Sequence, residues 1–298
     1  VAPEERRLYL NGEIVEESRA RLSPFDRGFL WGDGVYEITP CFNGKAFRLE
    51  DHLDRLYRSL RYVQVEPPLS QGEMEEATNS VMAANSALLD SSPICKLGHW
   101  ITRGEDPLGA MTPHAGATVC IICWPAGSNE VRGEDFRKGV KLVVVATRRN
   151  PPESLDPRAK VISKMNQILA ELDAKGTKAL PLMLDTRGFV AESSIANFYI
   201  VRDGIIWTPT GRNILHGVTR KVLLELADRL GIKVVETDFT MDDVGQAEEF
   251  FLTHSSVCVL PVRQVDRYTP VAEVPGPVTT LLMKAFAEET GIDFLALK

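Results

Sequence analysis

The sequence contains no apolar stretch approaching the roughly twenty residues needed to cross a bilayer. It also has no run of five or six like charges of either sign. The first absence argues against a membrane-spanning helix. The second, with a net charge of -7 and a pI near 5.4, argues against a nucleic-acid surface or a basic membrane patch. Cysteine is scarce and unpaired in pattern: Cys41, Cys95, Cys120, Cys123 and Cys258 form an odd, scattered set rather than a disulfide framework. A reducing, cytoplasmic setting is expected. The opening VAPEERRLYLNGEIV is polar and passes directly into strand signals, so no secretory leader is expected. Cys120 and Cys123 do make a CxxC, but in ATVCIICW, a core-strand pattern in which an offset of three points the thiols to opposite faces. Packing, not metal or redox chemistry, is the expectation, and no metal site is assigned.

What is present suffices for two packed units: 298 residues, 44% of them hydrophobic. LYL and EIV flank Asn11-Gly12 as a hairpin, and GVYEITPCF and KAFRL bracket Asn43-Gly44. LEDHLDRLYRSLRYV places Leu49, Leu53, Leu56, Tyr57 and Leu60 at helical spacing, and QGEMEEATNSVMAANSALL reads as a second helix. CKLGHWITRG and ATVCIICWPAG are strands. The periodicity then lapses in a Gly- and charge-rich stretch, giving an expected small N-terminal domain over 1–126, a linker over 127–136 and a larger domain over 137–298. In the larger domain, strands at KLVVVATRR, LPLMLD, FVAESSIANFYIV, IIWTP, KVVETDF and EEFFLTHSSVCVLPV alternate with helices over 163–175, at KVLLELADRLG and at VTTLLMKAFAEETG. The elements of the first unit form an α+β layer.

Three features invite chemistry. In DPRAKVISKMNQILAEL, Met165, Ile168, Leu169 and Leu172 form the apolar stripe of an expected buried helix, with Lys164 at its flank as a solvated or snorkelling residue. Lys160 lies in or after an extended approach, because Pro157 disfavours helix before it. Its neighbours alone leave it either solvated or reactive. A lysine attacks carbonyls only when its pKa falls, and it can then hold an aldehyde cofactor such as pyridoxal phosphate. That cofactor needs an anion site and an acid for its ring nitrogen. The turn His216-Gly217-Val218-Thr219 opens an amphipathic helix, whose start can bind phosphate through backbone N–H groups. Glu192 is a lone carboxylate in a strand-like run: either it faces water at an edge, or it is buried and wants a partner such as a protonated ring nitrogen.

Taken in order, DRGFLWGDGVYEI (26–38), HLDRLYRSL (52–60), DPRAK with NQILA (156–170), FVAESSIANFYIVRDGIIWTP (189–209), ILHGVTR (214–220) and FFLTHSSVCVLPV (250–262) resemble the fold-type IV pyridoxal-phosphate enzymes. These are the class IV aminotransferases, which include branched-chain, D-amino-acid and amine transaminases and aminodeoxychorismate lyase. The resemblance implies a two-domain α+β fold, a small N-terminal α/β domain and a larger β-rich C-terminal domain, with pyridoxal 5'-phosphate in the cleft. It implies Lys160 as the lysine that condenses with the cofactor and catalyses proton transfer, and Glu192 as the partner of the ring nitrogen. Arg55, Val218, Thr219 and Ser255 would hold the phosphate, and Leu215 would lie under the ring. The implied reaction moves an amino group from an amino acid or amine to a 2-oxo acid by ping-pong chemistry; the alternatives are the lyase branch and a non-catalytic small-molecule-binding relative. A homodimer is expected, with no nucleic-acid or membrane partner.

Departures from the family pattern leave the donor open. EDPLGAM follows Thr102-Arg103-Gly104 without the Arg-x-His pair common in D-amino-acid members. Lys96 and Gly98 stand where branched-chain members usually carry a tyrosine and an arginine, and Ile38 stands where they tend to carry glycine. Ser163 and Lys164 also depart from most relatives. Trp31 and Tyr36 resemble pocket-wall positions, although Trp31 also reads as core. Arg132 and Arg137, in or beside the linker, are either surface residues or a clamp for the substrate carboxylate.

Overall fold

The computed structural model describes residues 5–106, 116–127 and 132–297; residues 1–4, 128–131 of the expected linker and 107–111 of EDPLGAM lie outside the described residues. The chain forms two compact units, one comprising Val1–Gly127 with Ala159–Ser163, the other Ser128–Arg158 with Lys164–Lys298.

In the first unit, β1 (Arg7–Leu10) and β2 (Glu13–Glu16) meet at a turn in which Asn11 and Gly12 have φ of 48° and 102°. Positive φ at both residues suits the right-handed twist of a tight hairpin. There follow α1 (Arg27–Trp31), β3 (Gly34–Phe42), β4 (Lys45–Ala46), α2 (Leu49–Tyr62), α3 (Gln71–Ala84), α4 (Ser86–Asp90), β5 (Ile94–Thr102) and β6 (Thr118–Pro125). The six strands make an antiparallel sheet in the order β2-β1-β6-β5-β3-β4. Alternation sorts its faces. Val35, Leu97, Ile101, Val119, Ile121 and Cys123 are fully buried with Leu53, Leu56 and Leu60 of α2 and Met74 and Val81 of α3. Tyr36, Ile38, Trp100, Cys120, Ile122 and Trp124 form the half-buried opposite face. The two thiols of the CxxC therefore part to different faces. Burial pushes each of them up to about 11, and no metal-holding cluster exists among the described residues.

The segment read as one helix over QGEMEEATNSVMAANSALL is broken at Asn85. Its side chain accepts from Arg7 N at 2.9 Å and donates to Arg7 O at 2.8 Å, tying the break to β1.

The second unit contains α5 (Gly133–Lys138), β7 (Val140–Val144), α6 (Met165–Ala174), β8 (Leu180–Leu184), β9 (Val190–Ser193), β10 (Asn197–Arg202), β11 (Ile205–Thr208), α7 (Val218–Arg229), β12 (Val234–Glu236), α8 (Met241–Val244), β13 (Glu249–His254), β14 (Cys258–Val265) and α9 (Pro277–Thr290). The strand order is β12-β11-β10-β13-β14-β7-β8-β9, and β9 pairs back to β10 through Asn197 and Glu192, closing a β-barrel. Closure pairs the β9 edge with β10, while β11 and β12 extend the sheet outside the ring.

Three expectations change. The linker read over 127–136 is helical from Gly133, because Phe136 is fully buried with its ring 5.1 Å from that of Phe294. Ala159–Ser163 group with the first unit rather than with 137–298, since Tyr36 N donates to Lys160 O and Ile162 N to Gly34 O, both at 3.0 Å. The apolar stripe of α6 is not buried: Met165 is 59% and Leu172 55% exposed, while Ala170 and Ala174 make the contact with Val145 and Met183. Small residues let the helix approach closely, so the large side chains are left outside.

Phe136→Ala removes a fully buried ring and is expected to destabilise the protein by about 3–5 kcal/mol. Lowering of the urea midpoint measures it. An unstructured linker at this position would leave the midpoint unchanged.

Candidate active site

In the N-terminal unit, β3 sends Glu37 into the core face, where a bare carboxylate would be costly. Helix α2 answers with His52 and Arg55, one turn apart on its buried side. Arg55 Nε donates to Glu37 Oε2 at 2.8 Å and Nη2 to Oε1 at 2.6 Å; His52 Nδ1 lies 3.0 Å from Oε1. Burial alone would raise the Glu37 carboxyl, but the Arg55 charge and the hydrogen bonds outweigh it and hold the group well below the usual range. His99, opposite Glu37 in the β3–β5 register, bonds Thr78 Oγ1 through Nε2 at 2.8 Å. Burial pushes its imidazole down to about 4.

Two turns along α2 from His52, Ser59 Oγ donates to Arg55 O at 2.9 Å and accepts from Lys160 N at 3.0 Å. Lys160 is half-buried; its Nζ lies 3.2 Å from the Tyr36 hydroxyl and 4.3 Å from the ring centroid. The structure thus brings Lys160, Tyr36 and Arg55 into one neighbourhood. Trp31, at the end of α1, is 61% exposed, so the core reading of it does not hold.

In the C-terminal unit, the hairpin of β9 and β10 buries Glu192, but not as the lone carboxylate read from the sequence. Arg149 Nε donates to its Oε1 at 2.8 Å, and Asn197 Nδ2 and Leu215 N donate to its Oε2 at 3.1 and 3.0 Å. Arg149 is itself buried and bonds Asn166 Oδ1 at 3.2 Å. The edge-facing-water reading of Glu192 is likewise excluded. Helix α7 begins at Val218 after Gly217, with no side-chain cap. A Cβ on Gly217 would meet Asn197 Oδ1 at 2.4 Å, so the turn into α7 requires glycine there. Ser255, half-buried, lies in the turn between β13 and β14, and next to it the buried Ser256 hydroxyl has no partner among the described residues.

The linker arginines are occupied. Arg132 pairs with Asp135 at 2.9 Å, and Arg137 Nη1 donates to the carbonyls of Leu295 and Leu297 at 2.8 and 2.9 Å. Lys164, at the N-cap of α6, is half-buried.

Residues 34–265 match the family model described as amino-transferase class IV. The chain belongs to this family. Like its other members it is a fold-type IV pyridoxal-phosphate enzyme of two α+β domains. It is 33% identical to a putative branched-chain-amino-acid aminotransferase of Methanocaldococcus jannaschii over 95% of this chain and 96% of that one. It is 30% identical to a D-alanine aminotransferase of Listeria monocytogenes, over the same shares of the two chains. The T.th. branched-chain amino acid aminotransferase with pyridoxamine 5'-phosphate superposes with a TM-score of 0.88 at 29% identity, covering 97% of this chain and 95% of that one. The donor set of this aminotransferase suits such a cofactor. It offers an amine held against a phenol, a helix start whose first N–H groups have no side-chain cap, a buried hydroxyl without an acceptor, and a carboxylate fixed by three donors.

Sequence reasoning missed Glu37, His52, Ser59, Arg149 and Asn197. The phase of β3 could have flagged Glu37, since it shares a face with Val35 and Cys41. Arg149 carries no local signal, because its partner is 43 residues away.

Two outcomes follow. Folded His99 stays neutral down to about pH 4, while the unfolded chain takes up this proton near 6.5. The unfolded state therefore binds more protons in that window, and the His99 contribution to stability is lost as pH falls from 6.5 to 4, by about 3 kcal/mol. Urea midpoints against pH should show this slope in the wild type and a flatter one in His99→Gln. Arg149→Met leaves a buried carboxylate uncompensated and is expected to cost about 3–5 kcal/mol, part of which Arg149→Met/Glu192→Met regains. Additive losses in the double variant would disprove the coupling.

Proposed function

We propose that this enzyme transfers the amino group of an amino acid with an apolar side chain to a 2-oxo acid, with Lys160 as the catalytic amine. The observation that carries the reading is the Lys160 amine at 3.2 Å from the Tyr36 hydroxyl, on the DPRAK segment that resembles the family's lysine motif. When bound, pyridoxal phosphate supplies an aldehyde to take up the amino group and a ring that draws electrons from the substrate α-carbon.

The chain's own residues do the rest. The Lys160 amine would take the proton from the substrate α-carbon and later return one, as general base and then acid. Glu192, fixed by Arg149, Asn197 and Leu215 N, would accept a hydrogen bond from the ring nitrogen. By the family resemblance, the N–H groups of Val218 and Thr219, the Ser255 hydroxyl and Arg55 would hold the phosphate, and Leu215 would give the ring an apolar contact.

An apolar donor is favoured by the half-buried sheet face of the N-terminal unit. Tyr36 and Ile38 lie across from Trp100 and Gly98, and the Trp100 and Trp124 rings stack 6.0 Å apart. A Cβ on Gly98 would meet Trp100 Cζ3 at 2.4 Å and Trp124 Cη2 at 2.8 Å, so both indoles close over it. The clamp expected of Arg132 or Arg137 is left out of the proposal: Arg132 is an exposed residue paired with Asp135 in its own turn, and Arg137 holds the carbonyls of Leu295 and Leu297. We further propose that the chain acts as a homodimer, since Phe29 and Trp31 of α1 and Met165, Ile168, Leu169 and Leu172 of α6 leave two apolar faces exposed.

Reconstituted wild type should be yellow, and borohydride should leave its label on the peptide that contains Lys160. Lys160→Ala should lose the colour and about a thousandfold or more in rate. In a panel of L-amino acids, D-amino acids and amines, apolar amino acids should bleach the visible band fastest. Pyruvate release without an acceptor would point instead to the lyase branch, and a protein that stays colourless would leave only a binding role.

A further inference from the structure

We infer that Ser59 is the positioning residue of Lys160, so that one helix, α2, sets the place of both the catalytic amine and Arg55. The inference rests on the proposed role of Lys160 and adds what holds it there.

A serine hydroxyl has one hydrogen to give and two lone pairs to accept with. Ser59 Oγ gives its hydrogen to Arg55 O, 2.9 Å away, which turns its acceptor side to the Lys160 N–H at 3.0 Å. The site is fully buried, and serine in a helix interior is a poorer choice than alanine on propensity alone. Its hydroxyl earns that position by satisfying an N–H from a segment 101 residues away. Ser80 of α3 shows the contrast: its hydroxyl makes the same backward bond, to Glu76 O at 2.9 Å, but it is exposed and serves no second group among the described residues.

The segment around Lys160 is otherwise fixed from β3. Tyr36 N donates to Lys160 O, and Ile162 N to Gly34 O, both at 3.0 Å. Lys160 itself therefore makes two main-chain bonds, its carbonyl to β3 and its N–H to Ser59, and the second ties it to the helix. One turn back, Arg55 is locked by Glu37, the residue next to Tyr36 in β3. A shift of α2 would move the arginine and the lysine together, which keeps their spacing constant.

The test compares wild type, Ser59→Ala, Ser59→Thr and the control Ser80→Ala, each as the full chain with and without pyridoxal phosphate. Hydrogen exchange resolved to Lys160 reads the bond directly, without activity. In cofactor-free Ser59→Ala, the Lys160 amide should exchange about tenfold faster than in wild type. Cofactor dissociation should quicken by about three- to tenfold, and the pH titration of the visible band should shift. Ser59→Thr, which keeps the hydroxyl, should restore slow exchange and the wild-type titration; Ser80→Ala should change neither. Unchanged Lys160 exchange and an unchanged titration in Ser59→Ala would overturn the inference. So would rapid exchange of this amide in wild type, a result that stands even if Ser59→Ala fails to fold. Borohydride labelling of a lysine other than Lys160 in wild type would instead overturn the catalytic reading and leave the Ser59 bond standing.

Discussion

The Glu37–Arg55 pair is the interaction on which the N-terminal unit is organised. Its carboxylate and guanidinium are bonded twice in a core otherwise built from Val35, Leu53, Leu56, Leu97 and Ile121. A pair of this kind adds little net stability relative to apolar packing, but separating its members is expensive. It acts as a register pin: α2 cannot slide or rotate on β3 without leaving Glu37 bare. Everything else on that face of the helix inherits the constraint, including His52 on the same carboxylate and Ser59 on the Lys160 amide.

The C-terminal unit solves a similar problem by other means. Glu192 is brought inside by the strand pair that closes the barrel, and its charge is met by Arg149, by an amide side chain and by the backbone N–H of Leu215. The carboxylate is thereby fixed as an acceptor before any ligand is considered. In both units a charge enters the core on a strand whose alternation gives it no alternative, and a cation from elsewhere in the chain completes it.

Legibility differed by range. The strands of the sheet and barrel, the Asn11-Gly12 turn and the amphipathic helices α2 and α7 could be read locally, since period and turn chemistry are properties of neighbouring residues. Helix α6 could not. Its large residues gave a clean apolar stripe, yet the buried face is Ala170 and Ala174. Period shows that a helix is two-sided, and only packing decides which side faces in. Asn85 and Phe136 show the same limit, because a side chain bonded to β1 breaks one helix and a ring packed on Phe294 makes another.

By itself the sequence determined the family and the start of α7 at Val218, and it singled out Lys160, Arg55 and Glu192 as candidates, because each is carried by a short ordered pattern. Tertiary structure decided how those groups are held. The partners of Arg55, Lys160 and Glu192 are Glu37, Ser59 and Arg149, between 18 and 101 residues away. Chemistry of a site is written in residue type and local spacing. Its support depends on which distant segments share a buried surface, and that is settled only when the chain packs.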